Sequence, residues 1–156
     1  MKVETKHTVL HSTFVIQRRF PVAPEKVFAA YADPAKKNRW FADEEQSAIE
    51  SFEMDFRVGG RETKCFRTKD HLLCRNDTVY TDIVPNARIV FAYTMTVNGQ
   101  RISSSQATTE FREAPGGGTD LWFTEQAAFF EGADGPAMRE GGWRVLIEQL
   151  AAELAT

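Results

Sequence analysis

The stretch RIVFAYTMTVNGQRISSSQATTEFRE at residues 88–113 carries the strongest hairpin signal of the chain. Apolar and polar residues alternate on both sides of Asn98-Gly99, and such alternation is typical of a strand with one buried face. Asn98 and Gly99 both tolerate the positive φ angles that a type I′ turn requires. The sequence therefore predicts two antiparallel strands, Arg88–Val97 and Ile102–Glu113, joined by a tight turn.

Segments of the same kind extend this hairpin in both directions along the chain. Further strands are predicted at Ser12–Phe20, Ile49–Val58, Arg61–Arg67, Leu72–Val84 and Thr119–Phe129. Clusters of glycine, proline, asparagine and aspartate separate them, as is typical of turns. Because the strands from residue 49 onward follow one another through short connections, we expect a meandering antiparallel sheet of about seven strands.

Three helices complete the predicted fold. Pro24 opens a short helix after the first strand, and Asp33-Pro34 ends that helix and starts a second one. The segment Pro136–Leu154 has apolar side chains at helical i, i+3, i+4, i+7 spacing, which predicts one long amphipathic helix. The predicted class is α+β, with a curved antiparallel sheet wrapped around the long C-terminal helix. A cavity is expected where that helix does not fill the concave face.

Composition and charge argue against several classes of protein. The chain has 19 Lys plus Arg against 22 Asp plus Glu, a formal charge of -3, and no basic block that would neutralise nucleic-acid phosphates. No apolar run reaches the roughly 20 residues of a membrane span, and the N-terminus lacks the apolar stretch of a secretory signal. We therefore expect a cytoplasmic protein with one domain over residues 1–156, a frayed segment at residues 1–11, and no nucleic-acid partner.

The sequence carries no motif for a metal, a disulfide framework or a cofactor. Cys65 and Cys74 are interpreted as reduced thiols that could oppose each other across a hairpin. Neither has a histidine or carboxylate at metal-ligand spacing. The glycines at 116–118 connect two predicted strands, whereas a phosphate-binding loop joins a strand to a helix. We predict no metal site and no cofactor.

The two-residue period of the strands indicates which side chains face the cavity. In the predicted strand Ile49–Val58, one face carries Phe52, Met54, Phe56 and Val58. In the predicted strand Thr119–Phe129, Phe123 faces inward, and the two-residue period turns Glu125 inward as well. The candidate ligand-binding residues are Phe56, Phe91, Tyr93, Thr109, Phe123, Glu125, Trp143 and Leu146.

Glu125 is an unusual residue for an otherwise apolar face. It is interpreted either as a solvated or salt-bridged residue at the cavity edge, or as a polar anchor or general base. Tyr93 would offer its hydroxyl as a hydrogen-bonding group in the cavity, and Trp143 is interpreted as a core anchor, with ligand stacking as the alternative. Glu125 and Tyr93 are the two weak catalytic candidates.

The histidines do not support nucleophilic catalysis. His7 and His11 lie near the N-terminus and His71 lies in a predicted turn, so none is placed to activate a serine or cysteine. The sequence therefore favours a binding protein over an enzyme.

Several local motifs together resemble the SRPBCC or START-like superfamily, and within it the activator-of-heat-shock-ATPase-homologue (AHSA-type) branch. The motifs occur in the order of that family and span about Phe14 to Leu154. They are FPVAP at 20–24, Val27-Phe28, Asp33-Pro34, Arg39-Trp40-Phe41, DFRVGG at 55–60, PNARIVF at 85–91, Gly-Gly-Thr119 and Gly142-Trp143. The resemblance implies a helix-grip fold and a cavity that binds hydrophobic or amphipathic small molecules.

Three functions are compatible with this sequence. The first is binding of a small hydrophobic or amphipathic molecule between the sheet and the last helix. The second is a cavity enzyme of cyclase, dehydratase or hydrolase type that uses Glu125 and Tyr93. The third is a chaperone-associated interaction module with an exposed apolar patch around Phe129-Phe130, which could equally be a buried strand end or a homodimer contact.

Overall fold

Seven antiparallel strands form one open, curved sheet in the order β1-β7-β6-β5-β4-β3-β2. The computed structural model describes residues 7–42 and 47–156. The strands are β1 (Leu10–Phe20), β2 (Ser47–Met54), β3 (Arg61–Thr68), β4 (Leu73–Val84), β5 (Arg88–Val97), β6 (Gln100–Glu113) and β7 (Thr119–Phe129). The helices are α1 (Pro24–Ala32), α2 (Pro34–Trp40) and α3 (Pro136–Leu154). The α+β helix-grip fold predicted from the sequence is confirmed.

The tight turn between β5 and β6 forms as its sequence predicts. Asn98 and Gly99 have φ angles of 48° and 84°, the left-handed values that a type I′ turn needs. From β2 to β7 each strand pairs with the next one along the chain.

The first strand lies beside the last one, at the far edge of the meander. Leu10 pairs with Phe129 and Phe20 pairs with Thr119 in an antiparallel register. The alternation in β1 buries Phe14, Ile16 and Phe20 on the concave face. Because β1 is joined directly to α1, this pairing also places α1 and α2 over the concave face.

Helix α3 crosses the concave face and closes the core. Its buried side chains recur at helical spacing: Arg139, Trp143, Ile147, Leu150 and Leu154. Pro136 occupies the first turn, where its missing N–H costs nothing, after Gly135 with a φ of 90°. The core that α3 covers is rich in aromatic rings, and Trp143 lies 4.5 Å from Phe123 between ring centroids.

Strand β2 ends earlier than the sequence predicts. It stops at Met54, and residues 55–60 form a tight connection in which Gly60 N–H donates to Arg57 O. A Cβ on Gly60 would lie 2.1 Å from Asp55 O, so this approach requires glycine. The prediction that Val58 faces the core is wrong: it is 56% exposed, because the turn breaks the two-residue alternation before it.

Three further expectations need correction. Cys65 pairs with Arg75 and Cys74 pairs with Phe66, so the two free thiols point to opposite faces of the sheet rather than toward each other. Leu10 and His11 belong to β1 and do not fray, while residues 1–6 lie outside the described residues. Phe129 is buried in β7, so Phe129-Phe130 does not form the exposed patch proposed for a partner.

Candidate functional site

A cavity of about 180 Å³ lies between the first half of α3 and strands β3, β4 and β5. Phe41 and Ala42, which follow α2, and Ser47, the first residue of β2, also line the cavity. The apolar lining consists of Phe41, Ala42, Phe66, Met95, Met138, Gly142, Trp143 and Leu146. The polar lining consists of Ser47, Lys64, Asn76, Tyr93, Asp134 and Arg139.

Gly142 helps to keep this space open. It lines the cavity, and a Cβ built on it would meet no atom within 4 Å outside its own helix. Gly141, the preceding residue, also has open space around such a Cβ but does not line the cavity. The two glycines therefore offer a matched pair for testing the cavity.

Lys64 is one of the buried polar groups of this lining. Its side chain is buried, and its Nζ donates to the backbone oxygen of Phe41 at 2.8 Å. The Nζ lies 3.9 Å from the centroid of the Phe41 ring and 5.0 Å from that of Phe66. Within the described part of the chain, no carboxylate oxygen lies within 4.0 Å of this Nζ.

Burial lowers the pKa of Lys64 to about 7. Removing an ammonium group from water disfavours its charged form, and this effect outweighs the favourable charge of Glu62. The nearby Lys37 lowers the pKa further, and Cys74 opposes this slightly. The aromatic rings around the Nζ favour the ammonium form, but they do not compensate for the lost hydration. At neutral pH a large fraction of Lys64 is therefore a neutral amine.

Asn76 lies beside Lys64 on the neighbouring strand. The two residues are directly opposite each other in the β3–β4 register, and both line the cavity. The Asn76 Oδ1 is buried and has no hydrogen-bond partner among residues 7–42 and 47–156. An unpaired buried acceptor costs free energy, so a donor brought by a ligand would be favoured at this position.

Tyr93 and Arg139, which line the cavity, form a buried network with Glu125, which does not. The Tyr93 hydroxyl donates to Glu125 Oε1 at 2.8 Å and accepts from Arg139 Nη1 at 2.9 Å. The second nitrogen of Arg139, Nη2, donates to Ser103 Oγ and to Asp134 Oδ1, each at 2.8 Å. Every side chain of this network has a partner, so the network rigidly fixes the position of the Tyr93 hydroxyl.

Burial raises the pKa values of both Glu125 and Tyr93. For Glu125, burial outweighs the hydrogen bond from Tyr93 and the charge of Arg139, whose Nη1 lies 3.6 Å from Oε2. For Tyr93, burial and the nearby Glu125 both disfavour the phenolate. Tyr93 therefore keeps its proton at every physiological pH.

A second buried ion pair lies on the far side of Lys64. Lys37 Nζ is 2.6 Å from Glu62 Oε1, and the Tyr80 hydroxyl donates to the same oxygen at 2.7 Å. None of these three residues lines the cavity. The cluster fastens α2 to β3 and β4, which is a structural role.

The structure brings three of the eight predicted ligand-binding residues to the cavity: Tyr93, Trp143 and Leu146. It places the other five outside the lining: Phe56, Phe91, Thr109, Phe123 and Glu125. Phe91 and Phe123 pack against the buried side of Trp143, with ring centroids 6.3 Å and 4.5 Å away. The five residues outside the lining face the concave side as predicted, but α1 and α3 pack over them. The two-residue strand period does not predict which inward residues the helices cover.

The sequence reasoning overlooked Lys64, Asn76 and Arg139. A usable signal existed for Arg139, which precedes Trp143 by one helical turn and therefore shares its buried face. Lys64 follows Glu62 by two residues, so both lie on one face of β3, but two charged residues there indicate a solvated face. Of the two alternatives for Glu125 as an edge residue, solvation is wrong, since its exposed fraction is 0%, whereas the salt bridge agrees with Arg139 Nη1 at 3.6 Å from Oε2.

No helix in residues 7–42 or 47–156 is long and apolar enough to cross a membrane. The same residues contain no group of three His, Cys, Asp or Glu side chains arranged to hold a metal ion.

The fold and the site define an α+β helix-grip protein with a small, mostly apolar cavity under its C-terminal helix. The family described as activator of Hsp90 ATPase homolog 1-like protein matches residues 21–155, and this chain belongs to that family. A search of curated proteins found no match.

Solved structures agree with this assignment. A protein from Rhizobium leguminosarum is 37% identical, with a TM-score of 0.91 and coverage of 97% of this chain and 99% of the other. The Mll3558 protein from Rhizobium loti is 44% identical, with a TM-score of 0.85 and coverage of 94% and 99%. An AHSA1-like protein from Aeromonas hydrophila, at 21% identity, a TM-score of 0.71 and coverage of 92% of both chains, supports the fold alone.

Proposed function

We propose that the protein binds a small amphipathic molecule in the cavity between α3 and the sheet. The apolar body of the ligand would contact Met95, Trp143 and Leu146, and its polar end would lie at Lys64 and Asn76. The observation that carries this proposal is a mostly apolar cavity whose lining includes a buried amine and a buried acceptor that has no partner in the described part of the chain. Ligand sites in general combine apolar walls with a few fixed polar groups.

The size of the cavity limits the ligand. A dry cavity of about 150 Å³ holds one benzene molecule. The space of about 180 Å³ found here therefore suits a body of one ring or a short branched chain. Benzyl alcohol, with one ring and one hydroxyl donor for Asn76 Oδ1, is a suitable probe.

The pair Gly142 and Gly141 allows a controlled test. Gly142→Leu places a side chain where the cavity is, so benzyl alcohol binding measured by isothermal titration calorimetry should weaken at least about tenfold, the equivalent of 1.4 kcal/mol. Gly141→Leu has the same effect on helix propensity but adds its side chain away from the cavity. The affinity of this variant for benzyl alcohol should therefore equal that of the parent protein. Equal loss in both variants, or in neither, would argue against binding at this site.

The cavity-enzyme alternative has one contact in its favour. Tyr93 lines the cavity, and its hydroxyl donates to Glu125, as an acid with a carboxylate partner would. However, Glu125 is fully buried and does not itself line the cavity. Binding is therefore the function that we propose. The chaperone-associated role, a homodimer and the cytoplasmic location stay predictions from the sequence.

A further inference from the structure

The chemistry of the Lys64 amine goes beyond that of an ordinary hydrogen-bonding group. Surface lysines are hydrated ammonium ions, and a buried lysine usually pairs with a carboxylate, as Lys37 does with Glu62 at 2.6 Å. Lys64 is buried to the same degree but is held by a carbonyl oxygen and two aromatic rings. It also differs from Lys37 in that it lines the cavity.

We propose that Lys64 captures an aldehyde or ketone ligand as a reversible imine within this cavity. The inference rests on the proposed binding function and specifies the polar end of the ligand as a carbonyl group. An amine that is buried, lacks a carboxylate partner among the described residues and faces an apolar cavity has the environment of known imine-forming lysines.

The reaction balances without any further reagent. The lone pair of the Lys64 nitrogen attacks the carbonyl carbon, a proton moves from nitrogen to the carbonyl oxygen, and a carbinolamine forms. The carbinolamine then loses its hydroxyl group and the remaining nitrogen proton as one water molecule, which leaves a carbon–nitrogen double bond. No atom changes its oxidation level overall, and addition of water reverses the sequence.

Asn76 supplies the second observation for this site. Its Oδ1 is buried without a partner directly across from Lys64, where it would accept a hydrogen bond from the carbinolamine hydroxyl. The ring of a small aromatic aldehyde would then lie against Met95 and Trp143. Asn76 is therefore a positioning residue for the intermediate, and Lys64 is the nucleophile.

The protonation state of Lys64 agrees with this chemistry. With a pKa of about 7, Lys64 has a far larger neutral fraction at neutral pH than an ordinary lysine, whose pKa of about 10.4 leaves well under one part in a thousand of its amine neutral. Among the described residues, the charged or titratable groups that act on it are Glu62 on its own strand, Lys37 from α2 and Cys74 from β4, and Tyr93, Asp134 and Arg139 line the same cavity.

The test uses the full chain with benzaldehyde and sodium cyanoborohydride at pH 7, followed by intact mass and peptide mapping. The reductant converts an imine into a stable secondary amine, so the labelled lysine can be identified. We expect labelling of Lys64 at least about tenfold above that of any exposed lysine such as Lys26, because its neutral fraction is so much larger. Labelling spread evenly over exposed lysines would overturn the inference.

Two variants and one matched ligand separate covalent capture from simple binding. Lys64→Met should abolish the label, and an unchanged circular dichroism spectrum with a cooperative thermal unfolding transition would show that this variant is folded. Benzyl alcohol, which has the same ring but no carbonyl, should stabilise the parent protein without leaving a covalent label. Lys26→Arg should leave the label on Lys64 unchanged. Persistence of the main label in Lys64→Met would overturn the inference.

The two proposals fail in different ways. If benzyl alcohol and benzaldehyde both stabilise the parent protein but Lys64 is not labelled, the imine is refuted and the binding function stands. If neither compound stabilises the protein and no label appears on Lys64, both proposals are refuted.

Discussion

Lys64 illustrates how strongly the position of one residue alters its chemistry. A lysine in water carries its charge up to about pH 10.4. In this fold the β3 register turns Lys64 inward, Phe41 covers it, and the nearest acceptor is a neutral carbonyl oxygen. The protein retains this group at a cost in stability, which is expected where a residue serves function rather than folding.

That cost predicts a pH dependence of stability. Between about pH 7, where folded Lys64 loses its proton, and about pH 10.4, where the unfolded chain does, the unfolded state holds more protons. The free energy of unfolding should therefore rise with pH in this window, with a contribution from Lys64 of at most about 1.4 kcal/mol per pH unit. Urea denaturation of the parent and of Lys64→Met should show this rise only in the parent.

A surface substitution provides the control for this measurement. Lys26 is exposed, so Lys26→Met should follow the parent curve across the whole pH range. Parallel curves for the parent and Lys64→Met would mean that Lys64 titrates as an ordinary lysine.

The residues that the sequence predicted least well are those that depend on contacts between distant segments. Tyr93 and Trp143 were accessible to prediction, since each lies on an alternating or helical apolar pattern. Lys64 was not, because its burial depends on Phe41, which is 23 positions away and belongs to another element. Asn76 could not be predicted as a site residue either, because only the structure shows that its Oδ1 is buried and lacks a partner among the described residues.

At the scale of elements, α3 is the piece that both closes the core and shapes the cavity. Its C-terminal half packs tightly, with Leu150 fully buried, whereas its N-terminal half carries Gly142 and leaves the cavity open. The bounds Pro136–Leu154 could be predicted in full, because Pro136 marks the start and the apolar spacing is regular. The difference between the tightly packed C-terminal half and the cavity-lining N-terminal half could not be predicted, since it depends on which side chains of the sheet lie under each half.

This division predicts how substitutions along α3 affect stability. Leu150→Ala should lower the free energy of unfolding by about 3 kcal/mol, because it leaves a void in a site that cannot collapse. Val145→Ala, on the same helix and 40% exposed, should change it by less than about 0.5 kcal/mol. Chemical denaturation measures both, and similar losses in the two variants would contradict the assigned packing of α3.

At the scale of the whole molecule, the sheet combines local and distant pairing. The meander from β2 to β7 follows from short turns such as Asn98-Gly99, and it was predicted nearly strand by strand. The position of β1 was not, since its partner β7 lies about 100 residues further along the chain and no local signal specifies it. That long-range pairing places α1 and α2 over the concave face, and their packing decides which predicted cavity residues are covered.

The methionines allow the most direct measurement of the central claim, that the cavity under α3 binds a small amphipathic molecule. Met95 and Met138 line the cavity, and Met54 at the end of β2 does not. In a titration of methyl-labelled protein with benzyl alcohol followed by NMR, the Met95 and Met138 methyl signals should shift and saturate together while the Met54 signal stays in place. Unchanged Met95 and Met138 signals, or equal unsaturated drift of all three, would contradict binding at this cavity.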